Sequence, residues 1–270
     1  MTARAGGVSL PPWQACNLGD HVGDNLAHVA VNRALAAQRV TALSGQAGQD
    51  GQVGQVGQAE AWPVGWLEQV HGHALHRLTA ADFPVSAASG CVAQADGVWT
   101  TEPGLVCSVM VADCLPVLLA APEGRGVAAL HAGWRGLAGA SAAMAGRGIL
   151  DTGVQALCEA TGTDPADLQA WLGPCIGPVH FQVGQGVLQA FGADDQTDAC
   201  APLFRPDRAD ADGTPRWLAD LAGLGRARLA RLGVQQVFGG AWCTASDPDR
   251  FFSFRRERVT GRQAAMIAIR

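Results

Sequence analysis

Residues 105–136 read LVCSVMVADCLPVLLAAPEGRGVAALHAGWRG and contain three short apolar runs separated by polar or turn residues. Apolar runs of this length, bounded by turn residues, are typical of strands buried in a sheet. Asp113 and Cys114 stand between the first two runs, and His131 stands at the end of the third. Polar groups carried into a buried sheet cost roughly 2–7 kcal/mol each unless they find partners. We therefore expect the functional site at these strand ends.

The composition is that of a globular protein, because 48% of the 270 residues are hydrophobic and only 16% are charged. A net charge of -5 argues against a nucleic acid or an anionic membrane as partner. The sequence shows no signal peptide and no apolar stretch long enough to span a bilayer. Eight cysteines without paired spacing do not form a disulfide framework, so we expect a cytoplasmic protein with reduced thiols.

Short strands outnumber helices along the chain, which predicts the α+β class with mixed sheets covered by helices. One helix should follow Asp24 as its N-cap, because apolar residues after it are spaced for one buried face. Two further helices are expected over residues 137–160 and 216–232. Besides the three runs above, strands are expected at residues 7–13, 64–70, 73–78, 95–101, 168–172, 234–238, 251–254 and 264–269.

Residues 44–61 are rich in glycine and glutamine, with the pair Gly-Gln repeated several times. Glycine makes ordered structure expensive, so this stretch is predicted to be a flexible surface insertion. The segments on either side look mutually dependent. We therefore expect a single domain over residues 1–270 that carries this insertion.

Three side chains from distant parts of the chain could form a metal site: His71, Cys114 and His131. A thiolate and two imidazoles match a Cys-His₂ zinc site whose fourth position is open to water or substrate. Copper would also bind such a site strongly. Asp113 could orient His131 or carry a proton. Taken alone, Cys114 fits a small buried apolar residue equally well, and the histidines fit structural roles.

Several features suggest anion binding. The glycine-containing loop of residues 17–24 could hold an anion on its backbone N–H groups, or it could be a tight turn. Arg135 follows the predicted metal histidine and could grip a phosphate through its planar guanidinium. Arg255, Arg256 and Arg262 lie in an otherwise apolar segment, where burial without an anion would be costly. We expect at least one of these three to face the pocket.

Considered together, six motifs resemble those of the laccase-domain family of the YfiH type, in the same order along nearly the whole chain. Members of this family have been described as polyphenol oxidases and then as zinc-dependent purine nucleoside phosphorylases and adenosine deaminases. The motifs are Asn17-Leu18-Gly19 with His21-Val22-Gly23-Asp24, Gln69-Val70-His71-Gly72, Ala112-Asp113-Cys114-Leu115-Pro116, His131-Ala132-Gly133-Trp134-Arg135-Gly136, Gly173-Pro174-Cys175-Ile176-Gly177 and Ser253-Phe254-Arg255-Arg256 with Thr260-Gly261-Arg262.

The resemblance implies a four-layer α/β/β/α fold similar to the catalytic domain of cytotoxic necrotizing factor toxins. It also implies that His71, Cys114 and His131 are the metal ligands, with Zn²⁺ as the expected ion and Cu²⁺ as the other candidate. The implied reaction is phosphorolysis of adenosine, inosine or methylthioadenosine to the free base and ribose 1-phosphate, together with deamination of adenosine. The catalytic residues would be Cys114, His131, Asp113 and Arg135, and contacts to substrate and phosphate would come from Asn17, Gln69, Arg135 and Arg256.

Three other functions remain open at this stage. Cys114 and His131 could act without metal as the nucleophile and base of a hydrolase, for example an amidase that edits a peptidoglycan precursor. A copper-dependent polyphenol oxidase is the second, although seven scattered histidines cannot build a multicopper cluster. The third is a non-catalytic metal site closed by a fourth protein ligand, Cys107 or Cys175. The chain also departs from the family pattern at Gln182 and at residues 257–259, so an acid/base role near Gln182 is doubtful.

Overall fold

The computed structural model describes residues 1–45, 61–85, 90–193 and 200–270. These residues form a mixed α+β structure with several sheets, which confirms the predicted class. The helices are Leu26–Gly45 (α1), Trp134–Ala138 (α2), Ile149–Thr161 (α3), Gln185–Ala190 (α4), Leu221–Arg231 (α5) and Phe254–Glu257 (α6). The strands are Val64–Gly65 (β1), Leu67–Glu68 (β2), Leu75–Arg77 (β3), Ala93–Gln94 (β4), Gly97–Thr100 (β5), Val106–Val111 (β6), Leu115–Ala120 (β7), Val127–Ala132 (β8), Gln169–Leu172 (β9), Gln182–Val183 (β10), Phe204–Asp207 (β11), Arg216–Ala219 (β12), Gln236–Gly239 (β13) and Gln263–Ala268 (β14).

The largest sheet has six strands in the order β13-β9-β7-β8-β5-β3. At its centre, β7 and β8 form an antiparallel pair in which Pro116 lies opposite His131. Strand β8 is buried along its whole length, and all but the last residue of β7 is buried as well. The strands predicted from the second and third apolar runs are therefore confirmed, and their pairing sets the start of β7 beside the end of β8.

A second sheet has the order β1-β6-β14 and shares a buried apolar cluster with the largest sheet. Strand β6 is fully buried and pairs with β1 in parallel and with β14 in antiparallel orientation. Further clusters join the largest sheet to α3 and α5, and the second sheet to α1. The four-layer order and the likeness to the toxin domain stay predictions.

The N-terminal segment differs from the prediction in two ways. Residues 7–13 do not form a strand, because their backbone bonds to Ala15 and to the buried side chain of Asn32. Asp24 does not cap α1. Its carboxylate accepts hydrogen bonds from Ser9 and Asn17 instead, while the Asn25 side chain accepts the Ala27 N–H at the first turn of the helix.

Three other predicted elements are also wrong. The helix expected over residues 137–160 is broken by Gly139, whose φ of 69° ends α2 before α3 begins. The helix expected over 216–232 starts only at α5, because residues 216–219 pair with β11 and Asp220 caps the helix. The strand expected at 251–254 does not form; Ser253 caps α6 there.

The predicted Gly/Gln insertion falls mostly outside the described residues. Helix α1 continues to Gly45, and residues 46–60 are not described. The single-domain organisation over residues 1–270 therefore stays a prediction. Among the described helices, none combines the length and the apolar character that crossing a membrane requires.

Candidate metal centre

The side chains of His71, Cys114 and His131 meet at one point of the structure. His71 lies between β2 and β3, Cys114 immediately precedes β7, and His131 is the penultimate residue of β8. The Cys114 Sγ lies 3.8 Å from the His71 Nε2, and the two imidazole rings are 4.7 Å apart in an edge-to-face arrangement. One donor atom from each side chain lies within 4.8 Å of the others. The sequence therefore predicted the correct three residues to converge.

The 3.8 Å between the Cys114 Sγ and the His71 Nε2 fits two ligands of one tetrahedral metal ion. With Zn–N and Zn–S bonds of about 2.0–2.3 Å, donor atoms lie roughly 3.3–3.8 Å apart. His131 is buried, Cys114 is half-buried and His71 is exposed, so one side of the cluster is accessible. Thiolate and imidazole donors suit zinc and copper rather than magnesium or calcium. The donor set could hold a divalent transition metal.

Asp96 organises two of these three residues, and the sequence analysis did not identify it. Its buried carboxylate lies immediately before β5 and accepts a hydrogen bond from the His131 Nδ1 at 2.8 Å. The same carboxylate accepts from the backbone N–H groups of His71 at 2.8 Å and Gly72 at 2.6 Å. Asp96, and not Asp113 as predicted, therefore orients His131 and leaves its Nε2 for a metal. The sequence feature that could have indicated Asp96 is an aspartate within the strand predicted at residues 95–101.

Charges within the cluster stabilise one another. Burial would raise the pKa of Asp96, but its hydrogen bonds from His131 and the backbone hold that pKa below its ordinary value. Burial likewise opposes the Cys114 thiolate, yet neighbouring His131 lowers the pKa of Cys114 to about 6. Burial would lower the pKa of His131, and Cys114 with Asp96 raises it to about 9. The metal-free protein therefore carries a thiolate, the form that a metal requires.

Two glycines of the His131 motif permit the close packing of the cluster. A Cβ added at Gly133 would lie 3.0 Å from the His71 ring and 3.1 Å from the Cys114 sulfur. A Cβ at Gly136 would lie 2.6 Å from the Gly72 carbonyl oxygen, which packs against α2. His71 itself has a φ of 62°, a left-handed conformation that the Asp96 hydrogen bonds hold in place. The His131 motif thus supplies one candidate ligand, and its glycines leave space for Cys114 and for the segment that carries His71.

Asp113 has a different role from the predicted one. It has a φ of 108°, and its carboxylate accepts a hydrogen bond from the Thr244 hydroxyl at 2.6 Å and from the Arg255 N–H at 2.6 Å. Both carboxylate oxygens are therefore engaged by residues other than His131. Through its hydrogen bond to the Arg255 N–H, Asp113 connects the start of α6 to the β6–β7 connection, next to Cys114.

A cleft of about 330 Å³ opens beside the three donors, a size typical of small-molecule sites. Its apolar walls include Met110, Trp134, Phe181 and Phe254, which offer flat or flexible surfaces to a ring. Its polar lining includes His21, Gln69, Arg255 and Arg262. His21, a residue of the motif at positions 17–24, lines this cleft with its Nδ1 3.3 Å from the Asp20 carboxylate.

The predicted substrate residues are only partly in this cleft. Gln69 lines it, although both atoms of its amide bond to the Met110 backbone. Asn17 is fully buried and bonds to Gly19 and Arg262. Arg135 is exposed and stacks on Trp134 outside the cleft lining.

Arg256 also lies outside the cleft lining, because its guanidinium donates to the carbonyls of Thr244, Ala245 and Phe251. Arg255 and Arg262 do line the cleft. The expectation that at least one of the three C-terminal arginines faces the pocket is therefore confirmed, but Arg256 is not that residue.

Comparison with known proteins agrees with this architecture. Residues 1–270 match the family model described as multi-copper polyphenol oxidoreductase laccase. The chain is 40% identical over 266 residues to the purine nucleoside phosphorylase YfiH of Escherichia coli K12, covering 98% of this chain and 91% of that protein. It is 35% identical to a purine nucleoside phosphorylase of Mycobacterium tuberculosis, with 98% and 89% covered.

The chain belongs to the laccase-domain family.

Solved structures agree with this assignment. The crystal structure of Neisseria meningitidis protein NMB0706 superposes with a TM-score of 0.77 at 37% identity, covering 100% of this chain and 92% of that one. The structure of YlmD from Geobacillus stearothermophilus gives a TM-score of 0.79 at 28% identity, with 100% and 90% covered.

This laccase-domain protein contains one cluster of metal-ligand type within the described ranges, with three donors. A closed site with a fourth cysteine ligand is not what the structure shows. Cys107 is packed in the apolar cluster between the two sheets, and the Cys175 thiol donates to the Ile176 carbonyl. The cluster therefore has the open side that chemistry at a metal requires.

Proposed function

We propose that this protein is a metal-dependent purine nucleoside phosphorylase in which His71, Cys114 and His131 hold Zn²⁺. The observation that carries the proposal is the His-Cys-His cluster, open on one side to a cleft of nucleoside size. The names of relatives that are 35–40% identical over almost the whole chain support the same substrate class. Adenosine, inosine and methylthioadenosine are the proposed substrates, and deamination of adenosine is a proposed second reaction.

The residues of the cleft suit phosphorolysis. Trp134, Phe181 and Phe254 would hold the purine ring, and the arginines of the lining would hold phosphate. A phosphate oxygen attacks the anomeric carbon, the carbon–nitrogen bond to the base breaks, and the base leaves with a proton. A bound metal would supply positive charge and a Lewis acid beside these groups. The protein's own contribution is positioning and fixed charge, which account for most catalysis of this type.

The proposed deamination would use a different arrangement from the familiar zinc deaminases. Their His-x-Glu and Pro-Cys-x-x-Cys signatures are absent from this sequence. After Pro174-Cys175, the signature would place its second cysteine at position 178, which is a proline here. Ammonia release is therefore to be measured separately from base release.

The test is a product assay with zinc-loaded protein, several purine nucleosides, and phosphate present or absent. We expect free base and ribose 1-phosphate only when phosphate is present, and neither with Cys114→Ala. Arg250→Gln, which alters a surface arginine paired with Asp247, serves as the control and should keep full activity. Zinc-loaded wild-type protein that releases no base from any of the nucleosides would contradict the proposal.

A second candidate is a metal-free Cys-His hydrolase acting on an amide such as a peptidoglycan precursor. The observation that favours it is the Cys114–His131 pair, because a thiolate beside an imidazolium is the form of a cysteine nucleophile. Alkylation of Cys114 in metal-free protein distinguishes the two candidates. Amide cleavage that proceeds without metal and stops on alkylation favours the hydrolase, whereas activity that depends on zinc and is lost to a chelator favours the phosphorylase.

A further inference from the structure

The arginines of the cleft lack the carboxylate partner that most half-buried arginines of the described residues have. Five half-buried arginines elsewhere in the described ranges pair with a carboxylate, whereas the half-buried Arg226 donates to the carbonyls of Val237 and Gly239. These pairs are Arg4–Glu257, Arg33–Asp20, Arg216–Asp210, Arg228–Asp151 and Arg256–Glu257. For Arg255 and Arg262, no described carboxylate lies within ion-pair distance of the guanidinium. The cleft therefore holds cations that the protein itself does not neutralise by direct pairing.

Of these two arginines, Arg255 is committed to a structural contact. Its Nη1 donates to the carbonyls of His180 and Gln182, and its guanidinium lies over the Phe181 ring. These contacts tie α6 to the segment that leads into β10. Arg255 thus shapes the cleft wall through contacts to a different element, although these contacts engage only its Nη1.

Arg255 is exposed, whereas Arg262 is half-buried and, within the part of the chain that the structure describes, its guanidinium bonds only to its own neighbours. The Arg262 Nη1 donates to the carbonyls of Thr260 and Gly261 at 3.2 and 3.1 Å. Among the described residues, no hydrogen-bond partner faces its Nε or Nη2. Burial lowers the pKa of Arg262, while the negative charges of Cys114 and Asp113 act in the opposite direction. Neither the Nε nor the Nη2 of Arg262 is among the buried atoms without a partner in the described residues, so both donors are accessible to an anion in the cleft.

The loop at Asn17 holds Arg262 in this position. The Asn17 Oδ1 accepts the Arg262 N–H at 2.9 Å, and the Leu18 N–H donates to the Arg262 carbonyl at 3.0 Å. Asn17 is itself fixed by the Asp24 carboxylate at 2.9 Å. A Cβ at Gly19 would lie 2.8 Å from the Arg262 Cγ, so only glycine lets the side chain run along the loop.

We propose that the Arg262 guanidinium is the phosphate subsite of this cleft, and that Asn17 and Gly19 are positioning residues for it. This inference rests on the proposed phosphorylase function and assigns its second substrate to a residue. A guanidinium offers two parallel N–H donors to phosphate oxygens, a geometry that lysine cannot reproduce. The loop of residues 17–24 then acts on the anion indirectly, by holding the arginine that binds it.

The experiment compares wild type, Arg262→Gln and Arg262→Lys, all zinc-loaded, with inorganic phosphate as the probe. Loss of a charged hydrogen-bond donor should raise the KM for phosphate roughly 10- to 100-fold. The KM for the nucleoside should change much less, and the lysine variant should lie between the other two. Direct binding of phosphate, followed by calorimetry, should weaken in parallel, and this readout does not depend on turnover.

Arg125→Gln is the matched control, because Arg125 also donates only to carbonyls, those of Pro122 and Thr161, on a turn outside the cleft lining. It should leave both KM values unchanged. Gly19→Ala is the second variant, since it keeps every charge and should displace the Arg262 side chain. It should raise the KM for phosphate while Arg262 is still present.

The outcomes separate this inference from the proposed function. If wild type needs phosphate for base release but Arg262→Gln binds phosphate as tightly as wild type, the subsite is wrong and the phosphorylase stands. If wild type releases no base, the phosphorylase is wrong, and calorimetry alone decides whether Arg262 binds phosphate. If both Arg262 variants fail to fold, an unchanged KM for phosphate in Gly19→Ala would overturn the assignment.

Discussion

One carboxylate controls the geometry of two residues of the candidate metal centre at once. Asp96 holds the His131 ring through Nδ1 and the His71 backbone through its N–H, although these residues are 60 positions apart in the chain. Such a contact sets the tautomer of one histidine and the backbone conformation of the other. The orientation of both candidate ligands therefore depends on a carboxylate that is not itself a candidate ligand.

Asp96→Asn tests this dependence. The amide keeps the size of the side chain but removes the charge and one strong acceptor, so metal affinity should fall roughly 10- to 100-fold. Competition with a chromophoric chelator measures the effect. Asp82→Asn is the matched control, because Asp82 holds His76 at 2.9 Å in the same kind of pair but outside the cleft lining. Equal affinities in wild type and Asp96→Asn would contradict this role.

Gly133→Ala tests the close approach at the cluster. The added methyl would press on the Cys114 sulfur and the His71 ring, so the free energy of unfolding should fall by about 1–3 kcal/mol. The cobalt-substituted protein should also show a changed thiolate absorption band. Urea unfolding and absorption spectroscopy measure these effects. Gly186→Ala in α4, where an added Cβ meets no atom within 4 Å, should leave both unchanged.

Sequence motifs predicted which ligand-type residues meet, but they did not predict the residues around them. His71, Cys114 and His131 each end or follow a strand, so their convergence could be inferred from the strand pattern. Arg135 and Arg256 were placed in the cleft because they neighbour motif residues. Adjacent side chains on a helix point in different directions, and in the structure both arginines turn away.

At the scale of elements, buried strands were predictable and helix boundaries were not. The apolar runs of β6, β7 and β8 indicated strands because every position in them except His131 is apolar or small. Local capping and pairing decided the other cases. Asp220 and Ser253 start helices where apolar periodicity had favoured a longer helix and a strand. Both caps are local, but the pairing of residues 216–219 with β11 depends on a partner strand that the sequence pattern did not predict.

Helix α6 is held by a cluster of charges that sets its response to pH. Glu257 accepts hydrogen bonds from Arg4 at 2.5 Å and from the Thr260 hydroxyl at 2.6 Å. Burial opposes its ionisation, but these partners outweigh burial and lower the pKa of Glu257 below its ordinary value of 4.5. Its stabilisation is therefore fully present above about pH 4.5 and is lost as the pH falls through the lowered pKa.

Glu257→Gln should lower the melting temperature at pH 7 and have a smaller effect below pH 4, where the wild-type carboxyl is protonated as well. Thermal unfolding at the two pH values measures the difference. Glu68→Gln on β2 is the control, because Glu68 is exposed and should show no such pH dependence. A destabilisation that is the same at both pH values would show that shape, and not charge, holds α6.

On the scale of the whole molecule, the metal cluster joins three separate strand junctions. A ligand that binds only the folded state stabilises it, by about 2.7 kcal/mol at a free concentration one hundred times the dissociation constant. Zinc should therefore raise the melting temperature by roughly 5–10 °C. A chelator should reverse this shift, and Cys114→Ala should show none. Scanning calorimetry of metal-free and zinc-loaded protein measures it, and equal melting temperatures would argue against a zinc site at this cluster.

The contact between Asn17 and Arg262 links positions near opposite ends of the polypeptide. Chains are synthesised from the N-terminus, so His71, Cys114 and His131 all leave the ribosome well before Arg262 does. During synthesis, the three candidate donor residues are therefore present before Arg262, which bonds to the Asn17 loop, has been added. Under the proposed function, a chain that ends before Arg262 would carry all three candidate metal donors but lack the proposed phosphate-binding guanidinium.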